Sequence, residues 1–167
     1  NASAASLTFT AANWNISQTV TLTGADEAID DGDQSYTVTL AQATSSDPLY
    51  AVIDPADVSA TNTDDDAASI SVTPVAGLVT TEAGGTTTFD VMLGSQPTAD
   101  VSIALASSDL TEGNASAASL TFTAANWNIS QTVTVTGAND FVQDGDIAYT
   151  VTLAQASSSD PLYAAID

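Results

Sequence analysis

The chain is 167 residues long and 44% hydrophobic, and it sets 21 Asp plus Glu against no Lys, Arg or His, a formal net charge of −21. Without cationic side chains there is no electrostatic footprint for nucleic acid, no Arg clamp for phosphate and no basic patch for an anionic membrane. The absence of His and Cys also removes the usual general bases, thiol nucleophiles, disulfides and the ligands of zinc or haem iron, so the composition argues against an enzyme.

Along the chain, residues 1–54 return at 114–167, an offset of 113, with 44 of 54 positions identical and NASAASLTFTAANWNISQTV unchanged. That spacing matches a whole domain of ~100 residues rather than a solenoid unit, so a tandem array of domains is expected, entered mid-module. Residues 1–65 read as the C-terminal half of one repeat, its boundary set by the acidic run Asp64, Asp65, Asp66 that follows the strand-like DVSATNT. Residues 66–167 read as the next repeat without its last strand.

Within that fuller repeat the hydrophobic period is two, the mark of half-buried antiparallel strands. Ile70 and Val72 are expected to point inward first, then Phe89, Val91 and Leu93, then Val101, Ile103 and Leu105. Leu120 and Phe122 follow, then Val133 and Val135, and last Ile147, Tyr149, Val151 and Leu153. Gly84-Gly85, Gly94, Gly113, Gly137 and Gly145 fall between these segments, where turns and close approaches need them. No segment keeps a 3.6 period, so little or no helix is predicted. No apolar run approaches the ~20 residues needed to cross a bilayer. The predicted class is all-β, an Ig-like Greek-key β-sandwich of about seven strands.

Carboxylates are the only chemically loaded side chains, and they gather in loops: Asp26, Glu27, Asp30, Asp31 and Asp33 in the first copy, Asp140, Asp144 and Asp146 in the second. Such loops can simply be solvated. With no cationic residue to balance them, crowded carboxylates repel, and a divalent ion removes that penalty. Calcium accepts carboxylate, amide and carbonyl oxygens in a flexible shell, which suits ADEAIDDGD and ANDFVQDGD. The copies differ most here, yet Asp26 becomes Asn139, Glu27 becomes Asp140 and Asp31 becomes Asp144, so oxygen donors persist; Asp30 becomes Gln143, a position not essential for ligation. Neither loop has the twelve-residue EF-hand pattern.

The segments TTEAGGTTTFDVML, SSDLTEG, SLTFTAANWNISQTVTVTGANDFVQDGDIAYTVTL and DVSATNTDDD together resemble the Calx-beta domain. That resemblance implies a calcium-binding sandwich of the kind found in tandem arrays of bacterial surface proteins, with calcium ligands gathered at one end. Carried onto this sequence, the ligands it implies are Glu82, Asp109, Asn139, Asp140, the Val142 carbonyl and Asp144 in the fuller repeat. In the earlier one they are Asp26, Glu27, the Ile29 carbonyl, Asp31, Asp64, Asp65 and Asp66. Asn139 stands where the family carries an acid, and Ile147 where it carries a late Glu. The resemblance implies an extracellular calcium-stiffened spacer whose partners are adjacent repeats of its own chain, and neighbouring chains in a fibre. Two other readings stay open: a glycan- or protein-binding module, for which Trp14 and Trp127 offer aromatic platforms, and a filament subunit completed by strands from a neighbour.

Overall fold

The computed structural model describes residues 1–140 and 142–167; the loop reading over 139–144 includes one position, Phe141, outside them. The chain divides into two compact units, residues 1–27 with 31–64, and residues 28–30 with 65–167. The division falls between Asp64 and Asp65, one residue ahead of the boundary expected from sequence.

In the first unit, strands β1 (Gln34–Val38) and β2 (Val58–Asn62) pair antiparallel, Gln34 opposite Asn62 and Val38 opposite Val58. A single bridge joins Ala2 and Leu22.

The second unit is a sandwich of two antiparallel sheets. One contains β3 (Ile70–Thr73), β4 (Thr86–Leu93), β8 (Gln131–Gly137) and β6 (Gly113–Ala115), in that order. The other orders β7 (Ser119–Phe122), β5 (Val101–Ser107) and β9 (Val151–Leu153). A four-residue helix, α1 (Pro161–Ala164), follows, capped by the Asp160 carboxylate on the Leu162 N–H. Every second residue of the central strands faces the other sheet. Phe89, Val91 and Leu93 with Val133 and Val135 meet Val101, Ile103 and Leu105 with Leu120 and Phe122, and Tyr163 closes the same core. Full burial of each such side chain contributes about 1.5–3 kcal/mol.

Two details depart from the sequence expectation. β6 is an added strand of three residues, too short to show an alternation. The strand expected over Ile147–Leu153 is formed only at Val151–Leu153, and Ile147 is exposed. In the first unit the matching residues, 34–38, are a strand because β2 pairs with them. The second copy runs to Asp167, the counterpart of Asp54, so no counterpart of β2 lies among these residues.

The repeat separates local from tertiary causes. The turn after LTFT is the same in both copies: the Thr10 N–H donates to Asn13 Oδ1 and the Thr123 N–H to Asn126 Oδ1, while Gln18 and Gln131 each donate to the carbonyl of Thr8 or Thr121. Burial is not. Leu120 and Phe122 are 6% and 0% exposed, whereas their identical counterparts Leu7 and Phe9 are 39% and 54% exposed. The difference is β4 and β5, which pack over the second copy. Trp127 likewise packs on the core edge, while Trp14 is exposed.

Candidate functional site

The acidic end of the second unit is built by two short segments. After β5, the Asp109 carboxylate accepts from both the N–H and the hydroxyl of Thr111, the hydroxyl bond being 2.5 Å. The Gly113 N–H returns to the Asp109 carbonyl at 3.1 Å, so the chain turns tightly and delivers Glu112 at the start of β6. A Cβ on Gly113 would collide with the Tyr149 ring and hydroxyl, so the turn is glycine by close approach. The Ala138 N–H then donates to the Glu112 carbonyl at 2.9 Å, which fastens the exit of β8 to this turn. Asp140 follows two residues later, and its Oδ1 accepts the Val142 N–H at 2.8 Å. Gly145, at φ +83°, bends the loop on past Asp144.

As a result one carboxylate oxygen from each of Glu112, Asp140 and Asp144 lies within 4.8 Å of the others. Glu112 and Asp140 are half-buried and Asp144 is exposed. Burial pushes the Glu112 carboxyl above its ordinary range, and the nearby charges of Asp144, Asp109, Asp140 and Glu82 push it further. Asp109 is held below its ordinary range by the Thr111 hydroxyl, then by the Thr111 N–H, against the effect of burial. The donors are all oxygens, with no nitrogen or sulfur among them, and this set fits a hard cation such as calcium, which takes six to eight oxygens at ~2.3–2.6 Å.

The residues expected from sequence are therefore distributed as follows. Asp140 and Asp144 come together; Glu82 and Asp109 lie close enough to act on the same Glu112 carboxyl. Asn139 and Val142 are exposed on the connecting loop. In the first unit Asp64 Oδ2 accepts the N–H groups of Asp31 and Gly32 at 3.0 and 2.6 Å, and its own N–H donates to Asp33 Oδ1. Asp26 and Glu27 are exposed. Within the second unit, Ile29 is half-buried, as is Asp66, while Asp65 is exposed. The Asp30 carboxylate accepts the Ala68 N–H at 2.8 Å, a structural role.

Glu112 is the residue that sequence reasoning passed over. Its signal was present: it lies in SSDLTEG, three residues after Asp109, next to a glycine that ends a tight turn.

The chain matches no protein family, no curated protein and no solved structure among those with which it was compared.

Proposed function

We propose that this chain is part of a Calx-beta-like calcium-binding spacer in a large extracellular bacterial surface adhesin or fibre, stiffened by calcium at the acidic end of each sandwich. The supporting observation is the convergence of Glu112, Asp140 and Asp144 within 4.8 Å, in a chain with no cationic side chain to neutralise them. A cation there removes carboxylate repulsion and ties the β6 turn to the loop after β8, so binding and rigidity are linked. Extracellular calcium modules have dissociation constants of about 10⁻⁴–10⁻³ M, which suits occupancy outside a cell.

Thermal unfolding of the chain in calcium and in chelator, at fixed ionic strength, tests this. At calcium about 100-fold above the dissociation constant, mass action contributes about 2.7 kcal/mol. For a domain of this size that raises Tm by roughly 10–20 °C. Magnesium, which prefers a rigid octahedron and holds its waters, should give much less. An unchanged Tm would leave the loop as a solvated acidic surface.

A further inference from the structure

The sequence carries Asn-x-Ser triplets at Asn1-Ala2-Ser3 and Asn15-Ile16-Ser17, and again at Asn114-Ala115-Ser116 and Asn128-Ile129-Ser130. This triplet is the acceptor pattern for attaching a sugar to an Asn amide, and it is used where it lies on the surface. A transferase has to grip all three residues, so the backbone must be off the sheet ladder and the amide and hydroxyl must be free.

The Asn-Ala-Ser triplets do not meet that condition in either copy. Asn114 and Ala115 lie in β6, opposite Thr136 and Val135 of β8. The Ser116 N–H donates to the Thr134 carbonyl at 2.7 Å, and Ser116 Oγ accepts the Thr134 N–H at 3.0 Å. In the first copy the Ser3 N–H donates to the Thr21 carbonyl and Ser3 Oγ accepts the Thr21 N–H, both at 2.9 Å. The Thr23 N–H donates to the Asn1 carbonyl at 2.8 Å.

The Asn-Ile-Ser triplets sit in the turn after LTFT. That turn is closed upstream of them: Asn13 and Asn126 accept the Thr10 and Thr123 N–H groups on Oδ1, and their carbonyls accept the Ile16 and Ile129 N–H groups at 3.0 Å. All three residues of each triplet are exposed, Ile16 at 59% and Ile129 at 60%. Among the described residues, the side chains of Asn15, Ser17, Asn128 and Ser130 make no hydrogen bond. This exposure is the same in both copies, although the neighbouring Phe9 and Phe122 differ in burial, so the turn itself produces it.

We infer that Asn15 and Asn128 are sites of N-glycosylation, and that Asn1 and Asn114 are not. The donor is a sugar activated as a glycosyl diphosphate. The amide Nδ2 forms a bond to C1 of the sugar, the bond from C1 to the diphosphate oxygen breaks, and the diphosphate leaves with the electron pair. The amide gives up one proton to a base of the transferase, and nothing is oxidised or reduced. The diphosphate carrier is either a nucleotide, which delivers one hexose, or a polyprenol, which delivers a preassembled oligosaccharide. The attached sugar covers an exposed isoleucine and adds hydrated, uncharged bulk to a chain whose charged side chains are all acidic.

Peptide mass mapping of the whole chain, isolated from the cells that make it, tests this without reference to calcium. The chain has no Lys or Arg for trypsin, but chymotrypsin cuts after Phe9, Trp14, Phe122 and Trp127 and so puts each triplet on its own peptide. Sugar on Asn15 and Asn128, with Asn1 and Asn114 bare, is the expected result. A single hexose identifies the nucleotide-linked donor and a longer glycan the polyprenol-linked one. Ser17→Ala and Ser130→Ala should each remove the sugar from their own turn, and Ser130→Thr should keep it. Neither hydroxyl holds a bond, so the Tm of the sugar-free chain should not move with these substitutions. A bare amide at Asn15 or at Asn128, or sugar on Asn1 or Asn114, would overturn the assignment.

Discussion

Phe9 and Phe122 sit in the same twenty-residue sequence, and only one of them is in a core. Replacing each by Ala in turn separates what a residue contributes by local preference from what it contributes by packing. Phe122 is fully buried between β5 and the facing sheet, so Phe122→Ala removes its transfer free energy and leaves a cavity, a loss of about 3–5 kcal/mol. Set against a total of about 5–15 kcal/mol, that is a large fraction of the second unit's stability. Phe9 is 54% exposed, and Phe9→Ala should cost under about 1 kcal/mol in its own unit and nothing in the other. Urea titration read by Trp127 fluorescence, in a Trp14→Phe background, reports on the second unit alone. Phe122→Ala should lower the midpoint strongly at unchanged m, and Phe9→Ala should leave it in place. Equal shifts from the two substitutions would mean that the packing difference between the copies is not real, and the account of the core would fail.

Glu112→Gln should abolish the calcium-specific rise in Tm while leaving the chelator Tm equal or higher, because the neutral amide no longer suffers the surrounding charges; calorimetry with and without calcium checks it. In chelator, the raised Glu112 carboxyl means the folded state holds more protons than the unfolded one, so this group's contribution to stability falls as pH rises through its folded range. The stability gap between wild type and Glu112→Gln should accordingly narrow as pH is lowered from neutrality toward the ordinary carboxylate range, measured by denaturant midpoints. Asp160 goes the other way. Burial opposes its ionisation, but the N–H and hydroxyl of Thr98 and the N–H groups of Leu162 and Tyr163 hold it below its ordinary range. Its stabilisation is present above the ordinary carboxylate range and is lost as pH falls through its lowered one, so Asp160→Ala should cost about 2 kcal/mol near neutrality, and progressively less in acid. Tyr163→Phe strands Ser95, whose carbonyl accepts the buried phenol at 2.6 Å, and should cost about 1–2 kcal/mol in the same assay.

The alternation of Phe89, Val91 and Leu93, of Val101, Ile103 and Leu105, and of Val133 and Val135 was legible in the sequence because a strand buried on one side must repeat every second residue. β6 was not, since Gly-Asn-Ala offers no such repeat and is placed by its pairing with β8. Asp160 followed by Pro161 was a readable helix start, an N-cap with proline at N1, that the lack of a 3.6 period overshadowed. Two of the three members of the acidic cluster, Asp140 and Asp144, were visible as a charged loop. Glu112 joins it through the pairing of β6 with β8 and the bond from Ala138 to its carbonyl, contacts between segments distant in sequence. The exposure of Leu7 and Phe9 does not follow from their local sequence, which is that of Leu120 and Phe122, but from the repeat offset, which places no counterparts of β4 and β5 among residues 1–65.

The β1–β2 pairing also bears on how the chain reaches its folded state. β2 closes on β1 across the connection between Val38 and Val58. The entropy of closing such a connection grows slowly, by about 0.6 kcal/mol for each doubling of its length. Lengthening the 39–57 connection should therefore weaken the β1–β2 pairing only gradually, which leaves this connection as the place where the first unit tolerates insertion.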